Sequence, residues 1–139
     1  MVATRFAVAV HILLMLAALP PAEATSARIA HSVNTNPVVV RRITRQLARA
    51  GLVVARRGAP GAALARPAEA ITLADIWQAM RSAGPLIALH RHPNPHCRIG
   101  SQVNRLLAPA FAEAEAALQA RLSCSNLAAL LARVAPAET

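Results

Sequence analysis

Apolar residues recur three and four positions apart over most of this chain, and strict alternation is confined to a few short stretches. That pattern predicts helices with one small hairpin. From Phe6 to Leu19 almost every position is apolar, with His11 the main interruption, which suits a helix buried on most faces and a packed or hydrogen-bonded histidine. Ile29, Ala30 and Val33 mark the inward face of a helix over 27–33, with Thr25 or Ser26 as its cap. Asn34-Thr35-Asn36 is a turn of residues that bond their own backbone. Asn36 then caps a second helix whose first residue is Pro37, where a missing N–H costs nothing. Val40, Ile43, Leu47 and Ala50 follow at helical spacing, and Gly51 supplies the stop.

Leu52 to Ala55 reads as a short strand and Ala63 to Ala65 as its return, joined by Arg56-Arg57-Gly58-Ala59-Pro60-Gly61. Thr72-Leu73-Ala74-Asp75 opens another helix in the manner of a capping box; it continues through Trp77, a core or interface anchor, to Met80, and Gly84-Pro85 ends it. From Ser101 to Leu122 an unbroken stripe comprises Val103, Leu106, Leu107, Ala110, Phe111, Ala114, Ala117, Leu118 and Leu122. It is long enough to outrun a small domain, and its alanines allow a partner helix to come close, which predicts pairing across a two-fold axis. Pro109 within it predicts a kink or a fresh start. Glu113 and Glu115 read as ordinary solvation. Ser123 or Ser125 opens a last helix over 126–134. The fold class is therefore mainly α with a small β-hairpin wing: a winged helix-turn-helix plus a long dimerisation helix. The expected division is 1–85 for the DNA-binding domain, 86–100 for a connecting loop and 101–139 for the dimerisation and C-terminal helices.

Charge sharpens the picture. The chain has 139 residues and a formal net charge of +9, and every basic residue is arginine. Arg28, Arg41, Arg42, Arg45, Arg49, Arg56, Arg57 and Arg66 all fall between 25 and 67, a stretch without a single acid. Such clustering points to a polyanion rather than to solubility alone, and in a helix-turn-helix context that means double-stranded DNA. Residues near the amino end of the second helix reach base edges, so Thr35, Asn36, Val38, Val39 and Arg42 are the candidates for sequence choice. Arg45 and Arg49 suit phosphates, Arg28 and Arg41 are further DNA-binding candidates, and Arg56 and Arg57 at the wing suit a minor groove or a phosphate clamp. A solvated basic face and a plain hairpin with exposed arginines are the competing readings.

The amino terminus also imitates an export signal: Arg5, the apolar run, and Ala22-Glu23-Ala24 as a cleavage site. The run is too short to span a bilayer, and a buried core helix accounts for it equally well. Two cysteines, Cys97 and Cys124, are too few for a disulfide scaffold and suit a reducing compartment. His90, His92, His96 and Cys97 crowd one proline-rich loop. They are weak metal candidates, since the spacing matches no standard ligand motif, and a structural loop competes. Cys97 is also a candidate redox-sensing thiol, with Arg98 and the histidines close in sequence; an inert, buried cysteine starting a helix is the plainer view.

These motifs, in this order, resemble the Rrf-two family of bacterial winged-helix regulators. The resemblance is carried by Arg5-Phe6-Ala7-Val8, Ile29-Ala30 with Ser32-Val33, Asn34 through Arg42, Ala50-Gly51-Leu52-Val53, Arg57-Gly58, Leu64 through Pro67 and Ile71 through Ile76. It implies a cytoplasmic bacterial homodimer that binds a palindromic operator and usually represses. It points to the subgroup without an iron–sulfur cluster, because the family's cluster-binding members place three cysteines where this chain has Cys97 alone. One departure lies in the wing, where Gly61-Ala62-Ala63 replaces the family's common Gly-Gly-Tyr.

No glycine-rich phosphate loop, Ser/His/Asp arrangement or carboxylate pair is present, so no enzyme and no cofactor is expected. The expected partners are double-stranded DNA and a second copy of the chain, without a membrane. The two subunits would join through 101–122 with help from the first helix. The alternatives are an exported basic protein cleaved after Ala24, and a regulator acting mainly through protein partners.

Overall fold

The computed structural model describes residues 2–136 except Arg57, Ala59, Pro60, Ser82 and Ala83, with Val2 and Ala3 described by backbone alone. The chain forms two compact units. The first comprises Met1–Ser82 with Leu122–Thr139, the second Ala83–Arg121.

In the first unit α1 (Val2–Ala18) is the central element. Ala9, Ile12 and Leu13 are wholly buried, and Phe6, Val8, Val10, Leu14, Met15 and Leu16 pack around them. The run that imitates an export signal is thus this unit's core helix. It packs against α2 (Ser26–Val33), α3 (Pro37–Arg49), α4 (Leu73–Met80) and α6 (Leu127–Ala132). A fully buried leucine or isoleucine contributes roughly 1.5–3 kcal/mol, so Ile12, Leu13, Leu47, Ile71, Ile76 and Leu127 account for much of the hold.

The Thr25 side chain caps α2 by accepting the Arg28 N–H at 3.1 Å. Asn34, in the left-handed region at φ 63°, ends the helix, a conformation a short polar side chain tolerates. Asn36 Oδ1 accepts the Val38 N–H at 2.8 Å, with Pro37 in the first turn of α3. Val40, Ile43 and Leu47 turn inward, but Ala50, expected beside them, is exposed. There the helix stops and Gly51 turns the chain at φ 77°.

The wing is β1 (Val53–Ala55) paired antiparallel with β2 (Ala62–Leu64), with Val53 opposite Leu64 and Ala55 opposite Ala62. The first strand begins one residue later than expected and the second lies one residue earlier, so both sit closer to the turn. An isolated two-stranded hairpin is marginal in water; this one is rooted by buried Leu52 and Val53. Thr72 and Asp75 complete a reciprocal capping box at the start of α4, with bonds of 2.9 and 3.1 Å. That helix ends at Met80, before Gly84-Pro85.

The C-terminal helix α6 belongs to this first unit, although its sequence position grouped it with 101–139. Leu127 is wholly buried, its N–H donates to the Ile71 carbonyl at 3.0 Å, and the Leu73 N–H donates to Ser125 at 2.8 Å. Its cap is Asn126, which accepts the Ala129 N–H, and neither Ser123 nor Ser125.

The second unit holds a loop and α5 (Val103–Leu122) as far as Arg121; the helix begins two residues later than expected and runs through Pro109 without interruption. Proline removes a single backbone donor there, and the helical bonds on either side carry the element across. Glu115 accepts the backbone N–H groups of Leu86 and Ile87, so it straps the loop to the helix and is not simply solvated. Asn104 does likewise, donating to the His90 carbonyl at 3.0 Å.

Candidate nucleic-acid interface

Pro37 to Arg49 presents two faces of opposite chemistry. Val40, Ile43 and Leu47 are sealed in the core, while Arg41, Arg42, Arg45 and Arg49 are all exposed. At 100° per residue, positions 41, 42, 45 and 49 share one arc of the helix, so their guanidinium groups make one basic strip. Among the described residues no carboxylate pairs with any of the four.

The helix is also clamped along its length. Gln46, half-buried, accepts a hydrogen bond from the Arg5 guanidinium on α1 and donates through Nε2 to the Ala79 carbonyl on α4 at 3.2 Å. The sequence reading passed over Gln46. The available signal was a long amide on the seam between the apolar and basic faces of α3, where a polar group must find fixed partners.

The other candidate residues fall into different settings. Val38 is exposed at the amino end of α3, whereas Val39 is half-buried and packs on the core, so the two do not project alike. Asn36 is exposed, but its side-chain oxygen is engaged in capping. Thr35 is half-buried in the turn, its N–H bonded to the Ala30 carbonyl at 2.9 Å. Arg28 pairs with Glu23 at 3.2 Å, both about half exposed; an exchangeable pair of that kind holds a cation only weakly. Arg56 is half-buried and donates to the Pro21 carbonyl at 2.8 Å, tying the turn end of the wing to the loop before α2. Arg57 lies outside the described residues.

In the second unit His90, His92, His96 and Cys97 are all exposed. Among the described residues no three His, Cys, Asp or Glu side chains are grouped so as to hold a metal ion. The loop is a built turn: Asn94 accepts the Cys97 N–H at 3.2 Å, and a Cβ at Gly100 would lie 2.8 Å from the Asn94 carbonyl. Backbone N–H groups of Gly100 and Ile99 hold the Cys97 thiol below its ordinary pKa by stabilising the thiolate.

A two-helix reader with a wing, capped and charged in this way, matches a family model. Residues 2–133 match the one for Rrf2, an iron-dependent transcriptional regulator. The chain belongs to the Rrf2 family. It is a DNA-binding transcriptional regulator with the family's winged-helix fold, and not an enzyme. It is 36% identical over 127 residues to YwnA of Bacillus subtilis (strain 168), named as an HTH-type transcriptional regulator, covering 91% of this chain and 94% of that one. A crystal structure assigned to a DNA-binding protein superposes with a TM-score of 0.76 at 32% identity, covering 91% of this chain and 98% of that one. The fold is also that of CymR (YrzC), the global cysteine regulator of B. subtilis, with a TM-score of 0.66 at 19% identity and coverage of 95% and 96%. The family model is named for iron, but among the described residues the His, Cys, Asp and Glu donors of this Rrf2 chain are not grouped as a metal centre requires. Among the described residues no helix is long and apolar enough to cross a membrane.

Proposed function

We propose that this Rrf2 regulator works in the cytoplasm as a homodimeric repressor on a palindromic operator. Each subunit presents α3 to one of two successive major grooves. The observation that carries the reading is the strip of Arg41, Arg42, Arg45 and Arg49, paired with no carboxylate among the described residues, on a helix whose opposite face is locked in the core. In this reading Val38 and Arg42 meet base edges, and Arg41, Arg45 and Arg49 meet phosphates. Arg56 and Arg57 serve the wing.

Homodimerisation is supported by α5, in which no described residue is buried within its own chain although Val103, Leu106, Leu107, Ala110, Phe111, Ala114, Leu118 and Leu122 run along it. A stripe of that kind finds its complement in a second copy. A cytoplasmic location is supported by α1: detaching the first two dozen residues would strip Ala9, Ile12 and Leu13 from the core.

Retardation of DNA from the protein's own promoter region tests this. If about six phosphates are neutralised per dimer, log affinity falls against log salt with a slope of about −5. Retention that ignores salt, or none at all, would refute it.

A further inference from the structure

A cleft of about 270 Å³ opens between α3 and the wing, wholly inside the first unit. Its α3 wall is Val40, Thr44 and Ala48, which lie one above another at four-residue spacing, with Arg41 and Arg45 beside them. The wing supplies Val54, Ala55 and Ala62, and Ile29 and Val53 come from the core side. The space exists because small residues stand where larger ones would fill it: Ala24, Ala48, Ala55 and Ala62 all line it.

Chemically the cleft is one-sided. Its walls are mainly aliphatic, and Val54 is half exposed to water on them. Thr44 already donates its hydroxyl proton to the Val40 carbonyl at 2.7 Å. Only Arg41 and Arg45 bring charge, no acid lines the site, and neither guanidinium is in an ion pair among the described residues. The enclosure is held in place as well. Arg56 bonds the wing to Pro21, and Gly61 passes so near Ala24 that an added Cβ would lie 3.4 Å from its carbonyl oxygen.

We propose that this cleft binds a small amphipathic monocarboxylate, its chain against Val54, Ala55 and Ala62 and its carboxylate on Arg41 and Arg45. The volume lies at the small end of ligand pockets and suits roughly ten non-hydrogen atoms. A guanidinium pair takes a planar carboxylate well, and the aliphatic walls offer nothing to a sugar-phosphate backbone. The occupied site neutralises two arginines of the basic strip, so the ligand releases DNA; this second clause rests on the function proposed above, whereas binding itself does not.

Octanoate is a suitable probe, titrated calorimetrically into the full-length protein without DNA, with 1-octanol as the uncharged control. One octanoate is expected per chain, with octanol at least about tenfold weaker. Ala48→Leu, or Ala55→Leu should the first not fold, fills the cleft and leaves both arginines; octanoate affinity then drops at least about tenfold. Saturating octanoate weakens DNA retention about tenfold or more in the native protein and less than about twofold in the filled variant. No octanoate heat from a protein that retains DNA overturns the cleft and leaves the regulator untouched. Equal binding of octanol and octanoate overturns the role of the arginines. Octanoate bound by a protein that retains no DNA upholds the cleft and refutes the operator reading instead.

Discussion

The ring of Phe6 stands edge-on to the indole of Trp77, with centroids 5.3 Å apart and planes at 88°. This geometry matches the positive edge of one ring to the negative face of the other, and it joins α1 to α4. Phe6→Ala and Trp77→Ala are each expected to cost about 2–4 kcal/mol, since both rings are half-buried rather than sealed. Urea unfolding of both single variants and the double variant should show a coupling of about 0.5–1.5 kcal/mol. Strict additivity would mean the rings merely fill space.

Asn36 Oδ1 satisfies the Val38 N–H at the start of α3. Asn36→Ala should therefore lower stability by about 1 kcal/mol, and Asn36→Asp should restore most of it. Thermal unfolding checks the stability. If Asn36 also reads a base, Asn36→Asp will recover the melting temperature and still fail to recover operator affinity.

Arg42, in the middle of α3, and Arg49, at its carboxyl end, lie on the same exposed face about two turns apart. Replacing Arg42 with Ala is expected to relax discrimination between operator and scrambled DNA by about 1–3 kcal/mol. Replacing Arg49 should weaken both DNAs alike and reduce the salt slope by about one for each phosphate it neutralises. Competition binding at several salt concentrations distinguishes the two, and a uniform loss from Arg42→Ala would remove it from base reading.

Leu106 is 65% exposed on α5. Leu106→Glu should leave the chain's circular dichroism unchanged while shifting its sedimentation from dimer to monomer. A native protein that sediments as a monomer at micromolar concentration, or a variant that stays dimeric, would place any pairing elsewhere.

The Cys97 thiolate is favoured by backbone N–H groups of Gly100 and Ile99. The pKa is lowered, so the reactive anion persists to lower pH than in an unstructured cysteine peptide. Alkylation by iodoacetamide, followed at Cys97 by mass spectrometry, should reach half its limiting rate at a lower pH than in that peptide. A half-rate pH equal to the peptide's would show that the turn does nothing to the thiol.

Much of this protein is legible in its amino-acid sequence. Helix spacing, Asn36-Pro37, the Thr72/Asp75 capping box and Gly51 are local signals, acting through bonds between residues a few positions apart, so the order of elements and the basic face of α3 follow from the chain alone. Tertiary packing decided the rest, because it depends on partners far away in sequence. It made the apolar run near the amino terminus a core helix, brought α6 back onto Ile71 and Leu73, turned Val39 toward the core, and bound Glu115 to Leu86 and Ile87. It also clamped Gln46 between Arg5 and Ala79 and left four alanines around an arginine-edged cleft. No periodicity foretells such things: a pattern states which face is apolar, and only close packing states what that face meets and where space remains.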